Sequence, residues 1–380
     1  MINRKFSRYY QKTRDHASGW YDRGSAAFGV CKEKRPRRIG SISILTQSAE
    51  LGYNPRSSKG FGKESAVEWM DRVYGPARIE DRRILDLIAC PTFERLKGIR
   101  QAGPSALAFP FKTVTRYEHS LGVYCLLDRL GAGFTECVAG LLHDISHTAF
   151  SHATDFLFTS EEQDFHEKLK PEFLDRGDIH AALARIGLEP EAFYDDSIYP
   201  LLERPLPELC ADRLDYFFRD SLACGVSTPA QIARFLNHLV VVDRTIAFDE
   251  IATARVAVEL FGVMNRDWWA GPTEAFIYNE FADVLKLALA HKIISRDDLL
   301  GDDAAILERL ERSGCASIAR GLDRIVRFDP ARLIGYVPKV QPKMRRLDPA
   351  VFVAGELVRL SAIDARAPRA IANHRVLEPQ

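Results

Sequence analysis

From about residue 64 to about residue 325 the apolar residues return mostly at helical spacing, as at Ala66, Val67, Met70 and Val73 and again at Ala252, Val256, Leu260 and Val263. A chain that keeps this period over most of its length must bury stripe against stripe, so the expected fold is mainly α, a helical bundle. Beyond Asp329 and Pro330 the text changes to alternation broken by turn residues (RLIGYVPKVQPKMRRLDPAVFVAGELVRLSAI), which predicts a small C-terminal strand-containing region. Three segments follow: a basic N-terminal arm and linker (1–63), a helical domain (64–325) and an α+β appendage (326–380).

Composition narrows the class. Hydrophobic residues at 46% and charged residues at 27% exclude a disordered or fibrous chain. No run approaches the roughly 18 apolar residues of a membrane span, and no apolar signal core follows Met1–Lys5. A cytoplasmic chain without a membrane partner is therefore expected. The seven cysteines are scattered and form no C-x-x-C pair, which argues against a disulfide framework or a cysteine zinc site. Net charge is zero, but residues 1–40 hold four Lys and seven Arg against two Asp and one Glu, a local charge of +8. With its interleaved aromatics this arm suits a nucleic-acid backbone, or else is simply solvated or docked on an acidic neighbour.

The chemistry concentrates further along. Five of the ten histidines (His119, His143, His147, His152 and His166) fall in one 48-residue window, and His119, His143 and His166 lie directly beside carboxylates. That is a composition for metal or acid–base work. In LLHDISH the apolar run Cys137–Leu142 carries His143 and Asp144 to the inner end of a buried helix; neighbours on a helix diverge, so both converge only if the helix ends there. His143 and His147 are four apart, but Asp144 stands where a zinc protease needs Glu.

Four motifs appear in order: PTFERLKGIRQ from Pro91, TRYEHSLGV around His119, GLLHDISHTAFSHATD with the later FHE, and ADRLDYFFRD ending at Asp220. Together they make the chain resemble the HD-domain metal-dependent phosphohydrolases, in the deoxynucleotide triphosphohydrolase branch that includes dGTPase-like and SAM-plus-HD enzymes. A weaker similarity continues into the C-terminal IGYVPK, RRLDPAVF and RLSAI segments. The resemblance implies an HD-domain helical bundle with one divalent metal ion on His119, His143, Asp144 and Asp212. Imidazole and carboxylate ligands suit Mn, Fe, Mg, Co, Ni or Zn alike. It implies further catalytic positions at His147, His152, Asp155 and His166, with His152 as general acid and Asp155 as its orienter, three residues apart and able to share a helical face.

Substrate contacts carried over by resemblance are Arg116 and Arg213 on phosphate, Tyr216 on the sugar, Gln101 and Asp220 on the 3′-hydroxyl, and Arg266 on the triphosphate. The chain departs from its relatives where Ala89 and Cys90 replace the acidic residue that reads a guanine activator, and where Trp268 and Trp269 stand in place of a tyrosine. Those tryptophans either stack a base or belong to the core. Ala102 after Gln101 replaces a bulky apolar residue, so weaker discrimination against ribonucleotides is expected. The implied activity is release of triphosphate from a (deoxy)nucleoside triphosphate. The alternatives are a nucleotide phosphomonoesterase and a non-catalytic nucleotide- or nucleic-acid-binding HD protein, and a homo-oligomer is the expected assembly.

Overall fold

The computed structural model describes residues 66–158 and 165–367. The basic arm and the nucleic-acid contact assigned to it lie outside the described residues.

The described chain opens on a hairpin, β1 (Val67–Asp71) antiparallel to β2 (Gly75–Ile79), with Val67 opposite Ile79. Helical spacing predicted a helix here, and local turn chemistry overrides it. Asp71 Oδ1 accepts from the backbone of Val73 at 2.8 Å and of Tyr74 at 3.1 Å, closing an Asx-type turn, and Gly75 supplies a φ of 77°.

The helices of five residues or more are, in order, α1 (Arg82–Ile88), α2 (Arg116–Leu130), α3 (Phe134–Leu142), α4 (Ala153–Leu157), α5 (Phe165–Leu174), α6 (Gly177–Arg185), α7 (Ala211–Ala223), α8 (Pro229–Asn237), α9 (Ile251–Met264), α10 (Pro272–Ala290), α11 (Asp303–Arg312) and α12 (Ala316–Val326). The end of α2 shows why boundaries fall where they do. Thr115 caps its start by accepting from Glu118 N at 3.1 Å, and Gly131 closes its end at φ 78°. Buried side chains of α1–α3 and α5–α9 share one continuous core; α10, α11 and α12 close a second around Phe150, Phe276 and Phe281.

A second hairpin, β3 (Leu239–Val242) with β4 (Thr245–Phe248), interrupts the helical middle and turns on Asp243 and Arg244 at φ 46° and 59°. Helical period hid it. The C-terminal strands appear as predicted, β5 (Ala350–Val353) and β6 (Glu356–Arg359). They join that hairpin in one sheet of order β3-β4-β5-β6, with β4 parallel to β5 at Phe248 and Val351. The segment after residue 326 thus shares a sheet with residues 239–248.

Candidate active site and metal centre

Three helices deliver the central cluster. His119 comes from the first turn of α2, His143 from the residue capping α3, and Asp212 from the first turn of α7. As the sequence required, α3 stops at Leu142, and His143 and Asp144 enter the following turns, where both can face inward. His119 Nε2 lies 3.0 Å from Asp212 Oδ1 and 3.2 Å from His143 Nε2. Asp144 stands 3.6 Å from each of the two imidazole Nε2 atoms.

The proton positions follow from the outer partners. His143 Nδ1 is 2.8 Å from the carbonyl of Gly140, which can only accept, so Nδ1 carries the hydrogen. His119 Nδ1 is 2.8 Å from Asp215 Oδ2, a carboxylate that also accepts from Tyr74 Oη at 2.7 Å and Arg219 Nε at 2.7 Å. With the outer hydrogen on Nδ1, each ring in its neutral form aims a lone pair from Nε2 at the other and at the Asp212 carboxylate. Three lone pairs converging without a proton between them repel unless a cation sits among them, so this donor set fits a divalent metal ion. The electrostatics show the same demand for positive charge, met by a proton where no cation is held. Burial opposes a charge on His119, yet Asp212 and Asp215 hold its pKa up at about 10. Burial likewise opposes charge on Asp212, and the two imidazoles drive its pKa far below the carboxylate range.

A second cluster adjoins the first through Asp144, whose Oδ1 is 3.1 Å from His147 Nε2 and whose Oδ2 accepts from Arg116 Nη1 at 2.7 Å. His147 stacks on His166 at 4.0 Å between centroids, and His152 meets both edge-on at 5.0 and 5.1 Å. His152 Nδ1 donates to Asp155 Oδ2 at 2.9 Å, while Asp155 Oδ1 accepts from Phe165 N at 3.0 Å, so the carboxylate fixes the tautomer and leaves Nε2 facing outward. Burial, then the neighbouring Arg116, push the pKa of His147 well down; burial and His152 hold His166 at about 3. Both rings stay neutral. The loop joining the clusters passes through Phe150 and Ser151 at φ 60° and 52°, a conformation held by Ser151 Oγ donating to Arg100 O at 2.6 Å and accepting from Arg116 Nε at 3.0 Å.

Both clusters border one cavity of about 300 Å³. Gln101, Arg116, Arg213, Tyr216 and Asp220 line it, as does Ala102. Two of these are already engaged: Arg213 donates to the carbonyls of Glu208 at 2.6 Å and Arg204 at 3.1 Å, and Asp220 accepts from Trp269 Nε1 at 2.8 Å. Arg266, expected on the triphosphate, is not among the lining residues. Its guanidinium forms a two-pronged pair with Asp267 at 2.8 and 2.7 Å, because the chain continues past α9 as a π-helical turn over Asn265–Trp269 that turns the two tryptophans to the cavity instead.

Sequence reading missed the support of His119. Fully buried Arg219 pairs with Asp215, with Asp71 at 2.8 Å and with Glu118 at 2.9 Å, tying the β1–β2 hairpin to the His/Asp cluster. A signal was present: Asp215 and Arg219 are four apart on α7 and interleave with Leu214, Phe217 and Phe218, so their face is the buried one. Lys112, Glu274, Lys343 and Arg345 also line the cavity and carry no motif.

A buried His/Asp cluster on a helical bundle, beside an acid-bearing imidazole and a cavity with basic side chains, defines a metal-dependent phosphohydrolase. Residues 116–220 match the family model of the HD domain. An uncharacterized protein of Bacillus subtilis, YdhJ, is 36% identical over 308 residues, covering 79% of this chain and 93% of that one. The metal-dependent phosphohydrolase cns2 of Cordyceps militaris is 29% identical over 77% of this chain and 87% of its own length. The deoxynucleoside triphosphate triphosphohydrolase SAMHD1 homolog of Dictyostelium discoideum is 27% identical over 47% of this chain and 40% of its own. The chain belongs to the HD-domain family of metal-dependent phosphohydrolases, within which it is similar to the deoxynucleotide triphosphohydrolase-like branch, and it is a hydrolase. Among the described residues no helix is long and apolar enough to cross a membrane.

Proposed function

We propose that this enzyme hydrolyses the phosphate ester of a nucleotide, and that its substrate is a (deoxy)nucleoside triphosphate cleaved to nucleoside and triphosphate. The observation that carries this is the pairing of two clusters across one cavity, a cation-demanding set at His119, His143, Asp144 and Asp212 and an oriented acid–base pair at His152 and Asp155. His119, His143, Asp144 and Asp212 would hold a divalent ion, which would supply Lewis acidity to the attacking water and the phosphoryl oxygens. Water adds at the α-phosphorus, the bond from phosphorus to the 5′ oxygen breaks, and His152 delivers a proton to that oxygen. Asp155 holds the ring and stabilises its charged form. Arg116, anchored by Asp144 and Ser151, presents its guanidinium toward the phosphate. Tyr216, one turn beyond Asp212, packs the sugar, and Gln101 with Asp220 takes the 3′-hydroxyl. Neutral His147 and His166 contact phosphate oxygens.

A second reading, release of orthophosphate from a nucleotide monoester, is favoured by one feature. Lys112 is spent on Glu274 and Ser105, Arg116 on Asp144, and Arg213 on main-chain carbonyls, so the inner cations are already partnered. A metal-reconstituted assay across a nucleotide panel, with the phosphorus product identified, separates the two: inorganic triphosphate supports the first, orthophosphate the second. No turnover of any nucleotide with metal bound overturns both.

A further inference from the structure

The cavity wall holds a buried ion pair that the reaction above does not use. Lys112, in the loop before α2, and Glu274, in the first turn of α10, are both buried and both line the cavity. Lys112 Nζ bonds Glu274 Oε1 and donates to Ser105 Oγ at 2.8 Å, while Ser105 Oγ donates to the same Oε1 at 2.7 Å. Both contacts to the carboxylate therefore fall on one oxygen. Glu274 Oε2 accepts no hydrogen bond among the described residues, and Ser105 and Glu274 take up two of the three hydrogens that an ammonium can donate. A buried ion pair carries a desolvation cost that two apolar side chains would avoid. Set in a cavity wall with an acceptor and a donor unspent, this one is a polar socket.

The socket suits an uncharged group, since Glu274 repels any anion that Lys112 attracts. Its surroundings are those of the sugar. Ser105 N donates to Ala102 O at 3.1 Å, and Tyr278 Oη, one turn beyond Glu274 on α10, donates to the same carbonyl at 3.1 Å. Gln101, Ala102 and Tyr278 line the cavity beside the pair. Burial raises the pKa of Asp220 and the charge of Lys112 opposes that rise, which puts the ammonium near this carboxyl as well. With a 3′-hydroxyl on Gln101 and Asp220, the neighbouring 2′ position falls in the space left by the small Ala102 side chain, bordered by Glu274 and Lys112. A hydroxyl there donates to Glu274 Oε2 and accepts from Lys112 Nζ, filling both vacancies with one atom.

We propose that Lys112 and Glu274 bind the 2′-hydroxyl of the substrate's sugar, so that the enzyme prefers ribonucleotides to deoxyribonucleotides. This rests on the nucleotide reading above and deepens it. Room at Ala102 merely admits the 2′-hydroxyl; the ion pair rewards it, because a deoxy sugar leaves a buried donor and acceptor unmatched.

The test measures binding of the nucleoside product, which has no phosphate left to hydrolyse. Adenosine, guanosine, cytidine and uridine and their 2′-deoxy counterparts are titrated by calorimetry into the full chain in excess magnesium. Wild type binds each ribonucleoside on the order of 10-fold more tightly than its 2′-deoxy counterpart. Glu274→Gln, which keeps a carbonyl oxygen for Lys112 and Ser105 but loses the second acceptor, lowers that ratio. Lys112→Met with Glu274→Leu removes the pair without stranding a charge and brings the ratio to about one. An unchanged melting temperature shows that a variant is intact, and the single variant decides where the double one does not fold. Equal affinities or a deoxy preference in wild type, no binding of any nucleoside, or an unchanged ratio in the intact variants overturns the subsite. Variants that keep the ribose preference and reorder affinity among the four bases place the pair against the base edge, which overturns it too. Failure of the nucleotide reading shows separately, as absent turnover across the nucleotide panel with metal bound.

Discussion

At the scale of single residues the two histidine clusters separate by what their outer nitrogens touch. His119 and His143 spend Nδ1 on acceptors and turn Nε2 toward one another; His152 spends Nδ1 on Asp155 and turns Nε2 to the cavity. On the role proposed for His152, its replacement by Ala leaves the metal in place and removes the proton donor. Turnover should fall on the order of 100-fold or more, while metal content by mass spectrometry stays at the wild-type level. Loss of metal would show His152 to be a ligand instead. His166 sets a second expectation. Its folded-state pKa of about 3 lies below the ordinary 6.5, so between those values the unfolded chain binds the extra proton and stability falls as pH falls. The slope for one proton approaches about 1.4 kcal/mol per pH unit. His166→Gln, neutral throughout, should lose less melting temperature than wild type on acidification from pH ~6.5 to ~5. An unaltered pH dependence would mean that His166 does not titrate in this way.

At the scale of elements, what the sequence made legible was whatever is written locally. The termination of α3 before His143 and Asp144 and the shared face of Asp212, Tyr216 and Asp220 on α7 follow from spacing and appear in the structure, and the His152–Asp155 pair, which the family resemblance implied, is hydrogen-bonded there. The β1–β2 hairpin did not, because a short run such as Val67, Met70 and Val73 satisfies the helical period while the Asp71 turn decides the outcome. Gly122 shows how tightly the elements are fitted. A Cβ there would land inside the van der Waals shells of Arg219 Nη2 and Asp215 Oδ1. Alanine gains up to about 1 kcal/mol in helix propensity over glycine. It also forces apart two side chains locked by Tyr74, Asp71 and His119, and overpacking of this kind costs about 1–3 kcal/mol. Gly122→Ala should thus lower stability in chemical denaturation and weaken metal binding together, since Asp215 orients His119. A variant as stable as wild type would show that Arg219 moves freely.

At the scale of the whole molecule, the site is where distant parts of the chain meet, and that explains what one sequence could not disclose. The motifs cover residues 91–220, but Lys343 and Arg345 reach the cavity on an irregular segment with no periodicity, whose backbone is held by Asn279 at Val340 and by Asn265 at Arg345. The central cluster obeys the same logic. Its ligands arrive from α2, from the turn after α3 and from the start of α7, so an ion held there ties three segments of one bundle to each other. In the unfolded chain these groups lie 24 and 69 residues apart along the sequence and do not present a joint site. An ion that binds only the folded state stabilises it by about 2.7 kcal/mol when free metal stands at 100 times its dissociation constant. Without it, the facing imidazoles and carboxylates must take up a proton or repel. Dialysis against a chelator should therefore lower the melting temperature, and readdition of a divalent ion should restore it with a midpoint that climbs as free metal rises. Asp212→Ala should show the lower melting response to metal even at saturating concentration. A melting temperature indifferent to chelator and to added metal, in wild type shown to carry the ion, would place the ion outside this cluster.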